Sequence, residues 1–132
     1  MARPSGGTRS CASTTASRRL EKAIEFLDAA DEVVDRPDAF VTLCVSSGIA
    51  SADVCCCRRL GEHAQGDDHG AAVQLLRRVD AKLATDLQTL LQMKTRSAYG
   101  ESPSSRDDVR RAGRAAHRLL EAAKQLGGPP RA

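Results

Sequence analysis

The sequence predicts an all-α protein: an up-down four-helix bundle with one extra short helix. Three observations carry that expectation. Apolar residues recur at three- and four-residue spacing over almost all of residues 16–126, the period of helices with a buried face. Aromatic residues are scarce, with two Phe, one Tyr and no Trp. Ala, Leu, Val and Cys therefore supply the apolar content, which suits closely approaching helices better than strands. The breaks between periodic stretches are short, and short connections set neighbouring long helices antiparallel. No strand, repeat or Gly-rich phosphate loop is legible.

The first helix is expected from about Ala16 to Val34, with Leu20, Ile24, Leu27, Ala30 and Val34 on one stripe. "DRPD" ends it, because Pro37 cannot continue a helix but can open the next. The second runs from about Asp38 to Leu60. Phe40, Cys44, Ser47, Ser51 and Val54 make one stripe; Val41, Val45, Ile49, Ala52 and Cys56 make another. A helix apolar all round is buried all round, so this one is expected at the centre, ended by Gly61. "GEHAQGDDHG" reads as a polar loop. A short third helix follows, about Ala71 to Val79, with Val73, Leu76 and Leu75 as candidate inward residues. Asp80 can cap the fourth, about Ala81 to Tyr99. Its stripe is Leu83, Leu87, Leu90 or Leu91, position 94 and Ala98. Ser105 with Asp108 resembles a capping box. It opens a fifth helix to about Leu126, with Val109, Ala112, Ala116, Leu119 and Ala123 inward.

At 132 residues the chain suffices for one domain with a single core. The organisation expected is a disordered basic tail over 1–15, the helical domain over 16–126, and a disordered tail over 127–132. The formal net charge of +3 is unevenly spread. Residues 94–132 carry nine bases and four acids, a balance of +5. A basic third can mean nucleic acid. Arg outnumbers Lys 16 to 4, however, which a GC-rich genome produces without any ligand. No aromatic interleaves the bases, so a base-stacking surface for single strands is not supported. The apolar run from Ala39 to Cys57 is interrupted by Ser, Thr, Gly and Asp53, and no membrane span is expected. The first twenty residues lack an apolar h-region, so no secretory signal is expected. A cytoplasmic location follows.

"ADVCCCRRLGEH", Ala52 to His63, invites a metal or redox reading. Successive helical residues point about 100° apart, so Cys55, Cys56 and Cys57 cannot share one ion. Cys44 and Cys55 share a face but lie about 16 Å apart along a helix. No CxxC is present. The cysteines read as small buried apolar side chains. Cytoplasmic thiols stay reduced, so neither a disulfide nor a metal is expected, and no cofactor. His63, His69 and His117 are scattered; His63 and His69 share the loop and read as solvated.

Two charges interrupt apolar faces: Asp53 on the central helix and Lys94 on the stripe of the fourth. A buried charge is costly unless paired. They are expected to face each other or another nearby charge, either as an intrabundle salt bridge or as the wall of a polar pocket between the second and fourth helices.

The helix order, the small-residue second helix "FVTLCVSSGIASADVCC" and "LLQMKTRSAYG" before the last helix resemble the HEPN superfamily of small all-helical bacterial proteins. The resemblance covers about residues 16–126. It implies a bundle that dimerises through its central helices. It also implies a place in a toxin–antitoxin-type two-gene system, often beside a small nucleotidyltransferase. Many members are metal-independent ribonucleases, with an Arg followed four to six residues later by a His. At those positions this chain has Lys94 and Tyr99, with Arg96 beside them; Asp53 matches the acidic helper of the second helix. Lys offers a point charge where Arg offers a planar fork, and Tyr, with a pKa of about 10, is a poor general base. Arg58 and His63 have the motif's spacing but end the wrong helix.

The function expected is therefore a non-catalytic, homodimeric HEPN-like module. It would bind a partner protein, RNA or a nucleotide through Asp53, Lys94, Arg96 and Tyr99. The alternatives are an active ribonuclease using Lys94, Arg96 and Tyr99, and a structural dimer without ligand. The dimer interface is expected at Ser47, Gly48, Ser51 and Ala52, where Leu at Gly48 or Ala52 would overpack the partner. Tyr99 either leaves its phenol near solvent or buries its ring with the hydroxyl on a backbone carbonyl.

Overall fold

The computed structural model describes residues 7–126; the tail expected over 127–132 and the first six residues of the one expected over 1–15 lie outside the described residues. The described chain is predominantly helical, as the sequence predicts. Five helices, α1 (Thr15–Glu32), α2 (Pro37–Leu60), α3 (His69–Val79), α4 (Ala81–Tyr99) and α5 (Arg106–Gln125), are joined by short turns. Two three-residue strands, β1 (Thr8–Ser10) and β2 (Glu62–Ala64), complete it.

The helix ends follow local chemistry. Pro37 opens α2, where its missing N–H has no partner to lose. Gly61 closes it with φ +75°, a left-handed cap that costs glycine nothing. Asp68 accepts from the Ala71 N–H at the start of α3. Asp80 accepts from both Lys82 and Leu83 at the start of α4. Ser105 and Asp108 form the reciprocal capping box of α5. The helix α1 stops two residues earlier than expected, and Val34, read as inward, is 56% exposed. It sits in the turn that brings Pro37 into place and has no helix opposite it.

At the centre lies α2, against α1, α3, α4, α5 and β2. By length and composition it could cross a membrane; its apolar circumference is instead covered by neighbouring helices. Ser47 Oγ donates to the Ala23 carbonyl of α1 at 2.8 Å. A Cβ built on Gly48 would lie 2.3 Å from Leu90 Cδ1 of α4 and 3.3 Å from Leu119 Cδ1 of α5. Farther towards its start, Thr42 shares a 3.0 Å hydroxyl hydrogen bond with Ser97 of α4. Phe40 meets α5 at Gly113, where an added Cβ would be 3.3 Å from the ring. Asp38 accepts from the N–H and hydroxyl of Ser104, which holds the α4–α5 turn against the start of α2.

The N-terminal segment departs from the expectation of a tail over 1–15. Thr8–Ser10 pairs antiparallel with Glu62–Ala64, so the "polar loop" after α2 contains a strand. Cys11 lies beyond β1, and its N–H donates to the Gly61 carbonyl at 2.9 Å. That pairing carries Cys11 to Cys57, and the two form a disulfide with Cα atoms 5.7 Å apart. The expectation of no disulfide is corrected. It rested on the rule that cytoplasmic thiols stay reduced, and the pairing of β1 with β2 brings together two cysteines 46 residues apart in sequence. Cys44, Cys55 and Cys56 are free and buried, as read.

Candidate functional site

The residues singled out by sequence divide into three places. Asp53 is buried on α2 and faces α1, where Arg19 Nε lies 3.7 Å from its Oδ2. Its partner is therefore Arg19 rather than Lys94. The reason is rotational: Asp53 lies about 140° around α2 from Gly48, and Gly48 is the position that meets Leu90 of α4. Burial pushes the Asp53 carboxyl up from its ordinary range, while Arg19 and His63 pull it back only in part. A raised carboxyl pKa gives stability that is present at low pH and lost as pH rises through the folded value. Asp53→Asn should thus raise the melting temperature near neutral pH. That gain should shrink as the pH is lowered through the Asp53 titration. Paired thermal melts of wild type and variant across the acid range measure it, and an equal or larger gain at low pH would contradict it.

Lys94 lies on α4, seven residues past Leu87 and so about 20° from it around the helix. It continues the stripe in angle, yet it is exposed. The helix covering this side of α4 is α3, and α3 begins at His69, opposite Lys94. The stripe runs past its cover. Inward positions are instead Leu87, Leu90, Met93 and Ser97, while Ala98 is exposed. Lys94 Nζ lies 3.0 Å from His69 Nε2. The ammonium donates and Nε2 accepts, which assigns the ring proton to Nδ1. Burial and then the Lys94 charge hold the His69 pKa below its ordinary value, against the opposing pull of Asp67 and Asp68. His69 is thus neutral at neutral pH, and among the described residues no carboxylate forms an ion pair with Lys94.

Arg96 points to α5, its Nη2 donating to Asp108 Oδ1 at 2.9 Å. Asp108 also serves the capping box. The Ser105 backbone N–H, helped by its hydroxyl, by Arg96 and by Arg111, holds the Asp108 carboxyl below the usual range. Tyr99 ends α4 at 85% exposure. Of its two alternatives, the solvent-facing phenol is the one realised. Lys94 and Tyr99 are about 7.5 Å apart along the helix axis and about 140° apart around it, and both are exposed.

Ser47, Gly48, Ser51 and Ala52, expected at a dimer interface, are buried within the single chain; Ser47 and Ser51 have no exposed surface. The close approach they permit is made by α1, α4 and α5 rather than by a second copy. Their role as an intersubunit contact is corrected on that ground. Small residues signal that a backbone comes near without saying whose backbone it is.

Two features escaped the sequence reading. His69 gave no signal beyond its place in a polar loop, since its contact with Lys94 spans 25 residues. Asp86 was legible in principle, by the argument applied to Asp53: it is an acid within the Leu83–Leu90 stripe. It is 8% exposed and accepts two bonds from Arg118, at 2.9 Å from Nε and 2.7 Å from Nη2. The pair lines one wall of an open cavity of about 670 Å³ between α4 and α5, floored by Leu83 and Ala122. Both of its charges are satisfied by each other. Among the described residues, no three His, Cys, Asp or Glu side chains are grouped to hold a metal. No protein-family model and no curated protein matches this sequence.

Proposed function

We propose that the chain is a HEPN-like, homodimeric helical module of a cytoplasmic toxin–antitoxin-type system, and that its site binds rather than cleaves. Its ligand is a partner nucleotidyltransferase, an RNA or a nucleotide, met by Lys94 and Tyr99 at the end of α4. The observation that carries this reading is that the last turns of α4 expose both a phenol and a cation held by a neutral imidazole. Arg96 is committed to Asp108 and Asp53 to Arg19, so these two stabilise the fold around the surface and do not contact the ligand. An up-down arrangement of α1, α2, α4 and α5, with α3 added, belongs to the same reading. It is supported by contacts that run in opposite chain directions along each pair of helices: Arg19–Asp53 with Ala23–Ser47, Thr42–Ser97 with Gly48–Leu90, and Asp86–Arg118 with Arg96–Asp108. The second copy meets a face other than the buried small-residue stripe of α2.

One observation favours the runner-up, a metal-independent ribonuclease. His69 supplies beside Lys94 the imidazole that Tyr99 replaces in the motif. In that reading neutral His69 takes the proton of a ribose 2′-hydroxyl, its Nε2 released from Lys94 by the substrate, while Lys94 stabilises the phosphate charge that develops.

Lys94→Ala and Tyr99→Phe should abolish capture of the genetically adjacent partner or of RNA while leaving the melting temperature nearly unchanged, because both side chains are exposed. Sedimentation at micromolar concentration should give a dimer. Unaltered capture by both variants removes this surface from consideration. Release of 2′,3′-cyclic phosphate ends from RNA in the presence of chelator, lost in His69→Ala, would replace binding by cleavage.

A further inference from the structure

The N-terminal arm, Gly7 to Thr14, is held by few contacts: short strand pairing, a hydrogen bond from the Thr8 hydroxyl to the Glu62 carboxylate, and one disulfide. Thr8, Arg9 and Ser10 are polar, and Arg9 and Ser10 are exposed. A two-stranded pair of three residues each is too short to be stable alone. Its backbone bonds include Cys11 N–H to the Gly61 carbonyl at 2.9 Å and Gln65 N–H to the Gly7 carbonyl at 3.1 Å. The one covalent tie is Cys11–Cys57, which anchors the arm to the last turn of the central helix. That helix is gripped independently by α1, α4 and α5.

We propose that Cys11–Cys57 is a redox-sensitive clasp, whose reduction releases the arm from β2 while the helices stay packed. The chemistry is ordinary thiol–disulfide exchange. A dithiol attacks the Cys11 sulfur, which is the more accessible: Cys11 is half-buried, while Cys57 is 7% exposed. The S–S bond breaks and Cys57 leaves as a thiolate that takes a proton. The second thiol of the reductant displaces Cys11, which is protonated in turn. Two electrons and two protons enter the protein, and the dithiol departs as its disulfide. A small-molecule disulfide runs the sequence backwards and closes the clasp.

The pairing is protected from the other cysteines of the chain. Burial pushes the thiols of Cys44 and Cys56 up to about 12 and that of Cys55 up to about 11. Their thiolates, the attacking species, are therefore scarce at neutral pH. Opening uncovers the edge of β2 and His63, which pairs with Arg9 in the closed form and is 8% exposed there. It also frees the approach to α1, where the Ala12 N–H now donates to Thr15 Oγ1. The clasp lies on β1, β2 and the end of α2, apart from the Lys94–Tyr99 surface, and does not depend on what that surface binds.

Hydrogen exchange followed by mass spectrometry tests the clasp on the whole chain. Air-oxidised protein, denatured without reductant, should present three reactive thiols, and five after dithiothreitol. In the native protein, dithiothreitol should accelerate exchange of the peptide spanning Glu62–Gln65 by about tenfold or more. Peptides within α2, α4 and α5 and the helical ellipticity should change little. Cys11→Ser should show the fast exchange with or without reductant. Equal protection of Glu62–Gln65 in both redox states, five reactive thiols in the air-oxidised protein, or collapse of the helices together with the arm would each overturn the proposal. Slow exchange in Cys11→Ser would do the same.

Discussion

Gly48→Leu is expected to destabilise the monomer by about 3 kcal/mol or more, the largest loss foreseen for a single substitution in this chain. Even a Cβ at this position lies 2.3 Å from Leu90 Cδ1. Leu90 and the other near neighbour, Leu119 of α5, are both fully buried. Overpacking a close-packed core costs about 1–3 kcal/mol for added methylenes, occasionally more. Against this stands the gain of about 1 kcal/mol from replacing a helical glycine. For Gly48→Ala the two effects nearly offset each other, because the atom that must shift, by about 1 Å, is the end of the flexible Leu90 side chain. For Gly48→Leu three further carbons enter the junction of α2, α4 and α5, and overpacking wins. Urea denaturation of the two variants separates the cases. A Gly48→Leu protein as stable as wild type, but dissociated into monomers, would restore the sequence expectation that this glycine faces a second copy.

Loss of the Cys11–Cys57 bond should lower global stability by about 2–3 kcal/mol. A link across 46 residues removes chain entropy from the unfolded state worth about 4 kcal/mol. The full value is not expected, because the reduced native state regains the freedom of its arm, and that release offsets part of the loss. In a domain of this size the melting temperature should fall by roughly 10 °C. Scanning calorimetry of wild type and Cys11→Ser under non-reducing conditions measures it. Cys11 is the better position to change, because Cys57 is packed into the end of α2. Identical melting temperatures would mean that the bond constrains little beyond the arm itself.

Much of the helical layout was legible from the sequence for reasons that can be named. The all-round apolar α2 had to be central, since no single face could be given to solvent. Pro37, Gly61, Asp80 and the Ser105–Asp108 pair act on backbone groups within four residues of themselves, so their effects do not wait on tertiary structure. The stripe of α5 was read closely, with Ala112, Ala116, Leu119 and Ala123 all buried. The end of α4 was read less well. Lys94 has the right angle for the stripe, but angle alone cannot say where the covering helix begins.

The candidate site was legible only in its residue types. An acid on α2 and a Lys, an Arg and a Tyr at the end of α4 are visible in one line of sequence. Their partners are Arg19, His69 and Asp108, and for Tyr99 solvent, and the rotation of packed helices decided those. By itself the sequence determined what depends on neighbours in the chain: helix period, caps, breaks, and which helix must be buried. Tertiary structure alone decided which backbone fills the space left by Ser47, Gly48, Ser51 and Ala52. It decided likewise which cation neutralises Asp53, and that Cys11 reaches Cys57. The physical reason is common to these cases. Each contact joins residues far apart in sequence, and no periodic or local signal records the distance that folding removes.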